Sequence, residues 1–132
     1  MTQTPALPSD HVELRVPASG AYLAVLRTAT AGLAARLNFT LDDIEDLRIA
    51  VDEACALLLP LAAPEARIEC RFDLRPDQLQ VAVSVPSVTT DPPARDTFAW
   101  TVLTALAGEV DATVSDGHVT LTLRKQREMS TG

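Results

Sequence analysis

Two cysteines and two histidines are too few to build this chain around a metal or a set of disulfides. Cys55 and Cys70 make no CxxC pair, and His11 and His118 stand near opposite ends. A zinc site and a disulfide framework are therefore not expected, and a reducing cytoplasm is the expected compartment. Basic residues are also scarce, with 11 Lys and Arg against 18 Asp and Glu, for a net charge of −7. Phosphate contacts need clustered Lys and Arg, so a nucleic-acid surface is excluded, whereas docking on a basic protein is compatible with the charge. No long apolar run occurs: the stretch Ala54 to Ala63 is far too short for a bilayer span and contains Pro60. The start lacks a basic segment followed by an apolar one, so no signal peptide and no membrane partner are expected. What is present, 47% hydrophobic residues in 132, suffices for one domain with its own core.

The first ten residues, with Pro5 and Pro8, read as a loose tail. From His11 to Val16 the chain alternates, Val12, Leu14 and Val16 against Glu13 and Arg15, as a half-buried strand does. After Pro17, Ser19 is suited to cap a helix running to about Leu37, with an apolar stripe at Tyr22, Leu26, Ala29, Leu33 and Leu37. Asn38 is its stop. A second helix is expected over 41–59. Thr40 caps it, Asp43 holds the capping-box position, and Phe39 and Ile44 form the staple. Its stripe is Leu41, Ile44, Leu47, Val51, Ala54 and Leu58, ended by Pro60 and Pro64. Ile68, Cys70, Phe72 and Leu74 then alternate with charges, Pro76-Asp77 turns the chain, and Leu79, Val81, Val83 and Val85 return. Residues 86–96 form a Pro-rich loop. Phe98, Val102, Leu106 and Val110 mark a third helix, and Asp116-Gly117 joins a final hairpin. The end, 126–132, reads as a second tail.

The order is β-α-α-β-β-α-β-β, with the domain over 11–125. Every strand alternates, so one sheet face is covered by helices and the other is wet. The expected fold is an α/β (α+β) two-layer sandwich with a mixed or antiparallel sheet.

Asp46-Leu47-Arg48-Ile49-Ala50-Val51-Asp52-Glu53-Ala54-Cys55 on the second helix, Arg27 on the first, and the Gly108-Glu109-Val110-Asp111 segment before a hairpin ending in Arg124-Lys125 stand together in this order. In these features the chain resembles the serine-kinase anti-sigma factors, whose histidine-kinase-like ATPase fold is shared with histidine kinases and gyrase. The similarity covers about residues 11–125. It implies that Glu53 matches a general base acting on a serine hydroxyl, and that the asparagine which holds Mg²⁺ one turn on is replaced by Leu57. An alkyl group offers magnesium no oxygen. The family's adenine-binding loop falls on Pro86-Ser87-Val88-Thr89-Thr90, without its carboxylate or glycines. The glycines of its phosphate loop fall on Thr97 and Ala99. Arg95 matches an arginine found just before that loop and is the remaining candidate for nucleotide contact. The resemblance thus implies a nucleotide pocket partly filled by Leu57, Leu58, Leu59 and Leu61, with ATP and Mg²⁺ held weakly or not at all.

Apart from the resemblance, Glu53 and Arg27 are ordinary solvated charges on helices. Cys55 and Cys70 are buried inert thiols, Trp100 is a core residue, and both histidines face solvent. With it, Glu53 is the remnant of a catalytic base and Arg27 a contact for partners. The implied function is an anti-sigma factor that sequesters an alternative sigma factor of the stress or sporulation class. It would be countered by a STAS-type anti-anti-sigma factor and form homodimers. The alternatives are an active ATP-dependent serine kinase that phosphorylates that antagonist, and an orphan sensor or scaffold of the same fold.

Overall fold

A computed structural model of the chain describes residues 10–127. Of the expected tails, 1–9 and 128–132 lie outside the described residues, whereas Asp10 opens the first strand and Gln126 closes the last. The elements follow as β1 (Asp10–Pro17), α1 (Leu23–Arg36), α2 (Leu41–Leu58), β2 (Arg67–Arg75), β3 (Gln78–Pro86), α3 (Phe98–Ala107), β4 (Glu109–Ser115) and β5 (His118–Gln126). Short three-ten turns at Gly20–Tyr22 and Leu59–Leu61 precede α1 and follow α2.

The strands form one sheet in the order β1-β2-β3-β5-β4, with every neighbouring pair antiparallel. Strand alternation sorts the two faces. Leu14, Cys70, Val83, Leu121 and Ala112 make one row across the sheet on the helix side. Fully buried neighbours such as Phe72, Leu79 and Val81 join Leu26, Leu47 and Leu58 of the helices in one core. Each such side chain contributes about 1.5–3 kcal/mol relative to exposure. The other face carries polar cross-strand pairs: Arg15 with Glu69 at 3.3 Å, Arg71 with Glu13 at 3.4 Å, and Thr120 donating to Ser84 at 3.0 Å. Such exposed pairs set register more than stability. The helix layer is centred on α2, which packs against both α1 and α3.

Local chemistry sets the element ends. The Thr40 hydroxyl accepts the Asp43 N–H at 3.1 Å, and Phe39 before the cap is buried. Asn38, at φ 63, closes α1 in a Schellman motif: its N–H reaches the Ala35 carbonyl, and the Phe39 N–H the Ala34 carbonyl. Asp116 and Gly117 both take positive φ, as the two-residue turn of the β4–β5 hairpin requires.

Four expectations shift, the first at the start of α3, where Phe98 is 83% exposed and Trp100, Leu103 and Ala107 are the buried residues. Tyr22 is 44% exposed because it belongs to a three-ten turn, whose tighter winding breaks the helical phase. The deepest residues of α1 are instead Leu26, Thr30 and Ala34, with the Thr30 hydroxyl donating to the Leu26 carbonyl at 2.7 Å. Leu41 is 81% exposed, since three-residue steps such as 41–44–47 drift about 60° around a helix each time. Val110 lies in β4, not in the third helix, because Gly108 takes φ 93 and ends α3. Gly108→Ala is expected to cost about 1–2 kcal/mol in urea unfolding. The added carbon would meet the Arg124 carbonyl at an ordinary 3.5 Å, so the cost is backbone strain. A loss within a few tenths would mean that the turn relaxes.

Candidate functional site

Residues spaced three and four apart on α2 divide it into flanks. Arg48 and Asp52 lie toward α1, where Arg27 Nη1 donates to Asp52 Oδ2 at 3.0 Å, both side chains about one-third exposed. Asp43, Asp46, Ala50, Glu53 and Leu57 fall on the flank toward α3. Lys125, on the helix side of β5, fixes this arrangement: Nζ donates to the Leu106 carbonyl at 2.9 Å and lies 3.6 Å from Asp43 and 4.0 Å from Asp46. The end of α3 therefore sits by the start of α2, and the two helices run antiparallel. The N-terminus of α3 accordingly faces the half of α2 that carries Glu53 and Leu57.

At that N-terminus the Thr97 hydroxyl accepts the Trp100 N–H at 3.2 Å, so one helix-terminal donor is already satisfied. Trp100 is packed into the core, with the Arg95 guanidinium 4.8 Å above its ring. Arg95 also donates to Asp111 at 2.9 Å, a bond that holds the Asp111 carboxyl below its usual range. The loop after β3 is bound to its surroundings. Pro86 accepts from Ala63, Ser87 donates its N–H to the Gly117 carbonyl, and the Ser87 hydroxyl accepts from Thr89. Leu58 is fully buried, and Leu57, Leu59 and Leu61 pack on the core.

Magnesium and a nucleotide do not fit this donor set. Leu57 supplies no oxygen, the loop 86–90 has no carboxylate, and at the N-terminus of α3 the Thr97 hydroxyl takes up the Trp100 N–H. Among the described residues no cluster of three or more His, Cys, Asp or Glu is placed to hold a metal. Three surface depressions are lined elsewhere: on the wet sheet face around Arg71 and Ser84, between α1 and α2 around Arg27 and Ile49, and beside β1 around Leu14 and Val25.

Glu53 and Leu57 thus share a flank as their spacing predicts, while Arg27 and Arg95 sit on separate surfaces, each tied to an acid. Both cysteines are buried; burial first, then Asp52, pushes the Cys55 thiol up to about 12, and burial raises Cys70 as well. His11 is exposed and His118 is half-buried. Sequence reasoning missed Asp52 as the partner of Arg27, for which no local signal exists. It also missed Lys125, whose inward parity in β5 after Val119, Leu121 and Leu123 was a usable signal. No helix among the described residues is long and apolar enough to cross a membrane.

A middle helix bearing an acid, set against the N-terminus of the next helix over an antiparallel sheet, defines a two-layer ATPase-type domain. The chain belongs to the histidine kinase-like ATPase domain family, which matches residues 16–125. Within it, the chain is 40% identical over 107 residues to the anti-sigma-F factor RsbW of Mycobacterium tuberculosis (strain H37Rv), covering 81% of this chain and 63% of that protein. It is 38% identical over 79 residues to the serine-protein kinase RsbW of Bacillus subtilis (strain 168), covering 58% of this chain and 49% of that one. It therefore spans less than two thirds of the length of either relative. The crystal structure of the RsbU and RsbW domains of Rv1364c from Mycobacterium tuberculosis shares the fold, with TM-score 0.71 at 16% identity over 93% of this chain and 34% of that one.

Proposed function

We propose that this chain is an anti-sigma factor that sequesters an alternative sigma factor of the stress or sporulation class. A STAS-type anti-anti-sigma factor releases it, and it works as a cytoplasmic homodimer. Arg27 contacts the partner. Glu53 is the vestige of a general base, and serine kinase activity is absent or very slow. The observation that carries this reading is the pairing of a relative named as an anti-sigma factor with a site whose metal-ligand position is Leu57. The second reading, an active serine kinase acting on the antagonist, draws on the Bacillus relative's name and on the retained Glu53.

Two measurements separate them. Transcription in vitro with each alternative sigma factor of the source organism is expected to be blocked for one of them by near-stoichiometric chain. Inhibition of none overturns the proposal. Calorimetric titration with Mg-ATP is expected to give no saturable binding in the micromolar range. A micromolar dissociation constant, about −8 kcal/mol, with phosphate transfer to a serine of the antagonist, would establish the kinase instead.

A further inference from the structure

Nothing on α1 itself can orient Arg27. That helix carries no acidic residue, and the neighbours one turn away are Leu23, Ala24, Thr30 and Ala31. Thr30 is buried and its hydroxyl donates to the Leu26 carbonyl at 2.7 Å. An arginine left free samples many rotamers, and a partner that binds it has to freeze them. The carboxylate that meets Arg27 comes from the other helix. Asp52 Oδ2 accepts from Nη1 at 3.0 Å and is, among the described residues, the one hydrogen-bond partner of the guanidinium.

Asp52 is available because its rival within α2 is already engaged. Arg48 stands four residues back on the same face, yet it pairs with Glu45, an acid N-terminal to its base and so the better order on a helix. Glu45, Arg48, Ile49 and Asp52 make one face of α2. Together with Arg27 they line a depression of about 140 Å³ between the two helices, with Ile49 48% exposed as its apolar wall. The guanidinium is thus held at one nitrogen beside a recess, and among the described residues its Nε and Nη2 donors carry no bond.

We propose that Asp52 is a positioning residue, which fixes the Arg27 guanidinium over this recess so that the partner meets an arginine already in place. The inference rests on the reading that Arg27 contacts the sigma factor, and it adds the group that prepares that contact. Freezing a free long side chain at an interface weakens binding about two- to tenfold. A double-mutant cycle tests it, read as affinity of the full chain for the sigma factor whose transcription it blocks. Arg27→Ala is expected to lose about thirtyfold, and Asp52→Ala about fivefold. In the Arg27→Ala background, Asp52→Ala should change affinity less than about twofold, because no guanidinium is left to place. Exchanging the pair, Arg27→Asp with Asp52→Arg, rebuilds the tie between the helices from opposite ends. Melting of the exchanged chain and of Asp52→Ala is expected to stay within a few degrees of wild type. Binding of the exchanged chain should still fall at least about tenfold, since its guanidinium now stems from α2.

An Asp52→Ala chain that binds as wild type does, or more tightly, overturns the proposal. So does a loss at Asp52 that persists in full without Arg27, which would make Asp52 a direct contact. An exchanged chain that binds like wild type would show that any tie between the helices suffices, and it overturns the proposal equally. In each of these cases a thirtyfold loss at Arg27 leaves the reading of the interface standing. If Arg27→Ala loses nothing, or wild type blocks no sigma factor, that reading falls and the positioning role falls with it.

Discussion

Replacing Lys125 by methionine is expected to destabilise the protein by about 3 kcal/mol, seen as a fall in urea midpoint at unchanged slope. Methionine keeps most of the buried stem, so the effect isolates the ammonium group. Lys125 and Asp43 are 17% and 13% exposed, and the ammonium also donates to the Leu106 carbonyl at the end of α3. Removing it strands a carboxylate whose Oδ2 already has no partner, together with the helix-end carbonyl. It also removes a polar tie that links α2, α3 and β5. Lys125→Met combined with Asp43→Leu is expected to recover part of the loss, because the orphaned charge leaves with its partner. A single-variant loss below about 0.5 kcal/mol would mean that water already screens the pair.

Arg27→Glu is expected to weaken sigma-factor binding by more than thirtyfold. Truncating an interface arginine typically costs about 2 kcal/mol, near thirtyfold, and charge reversal adds repulsion. The setting of this side chain suits the proposed contact. Asp52 engages Nη1 alone, so the remaining donors of the guanidinium fork stay available at a rim that also exposes Ile49. Part of the penalty will be internal, since the variant sets a second carboxylate beside Asp52. Thermal melts should register that at no more than about 1 kcal/mol for a pair this exposed. Glu53→Ala is the contrast, expected to bind within about twofold of wild type (under 0.5 kcal/mol). Equal losses at both positions would remove the distinction between a contact and a vestige.

Short-range chemistry made much of the fold legible. Thr40 with Phe39 marks the start of α2, Pro60 its end, Asn38 the stop of α1, and Asp116-Gly117 the last turn. Each acts within a few residues, and each stands where the sequence pattern puts it. Helical phase was less legible. The first helix carries Ala and Thr on most sides, and Thr30 reaches the core because its hydroxyl is satisfied by its own helix. Asp43 shows why sites resist such reading. Its N–H donates to the capping Thr40 hydroxyl as expected of its position, while its carboxylate turns to Lys125 at the far end of the chain. Arg27 and Asp52 repeat the lesson on the other flank of α2. Leu57, by contrast, was legible at once, because what it lacks follows from residue type alone.

The two buried thiols give the protein an internal clock. A thiol reagent attacks thiolate, and Cys55, pushed up to about 12, holds almost none while the core is closed. Labelling of Cys55 and Cys70 therefore has to wait for an opening that separates α2 from β2. When reclosing outpaces the reagent, the labelling rate scales with the population of that opened state. Unmodified protein thus reports its own breathing, with one reporter in the helix layer and the other in the sheet.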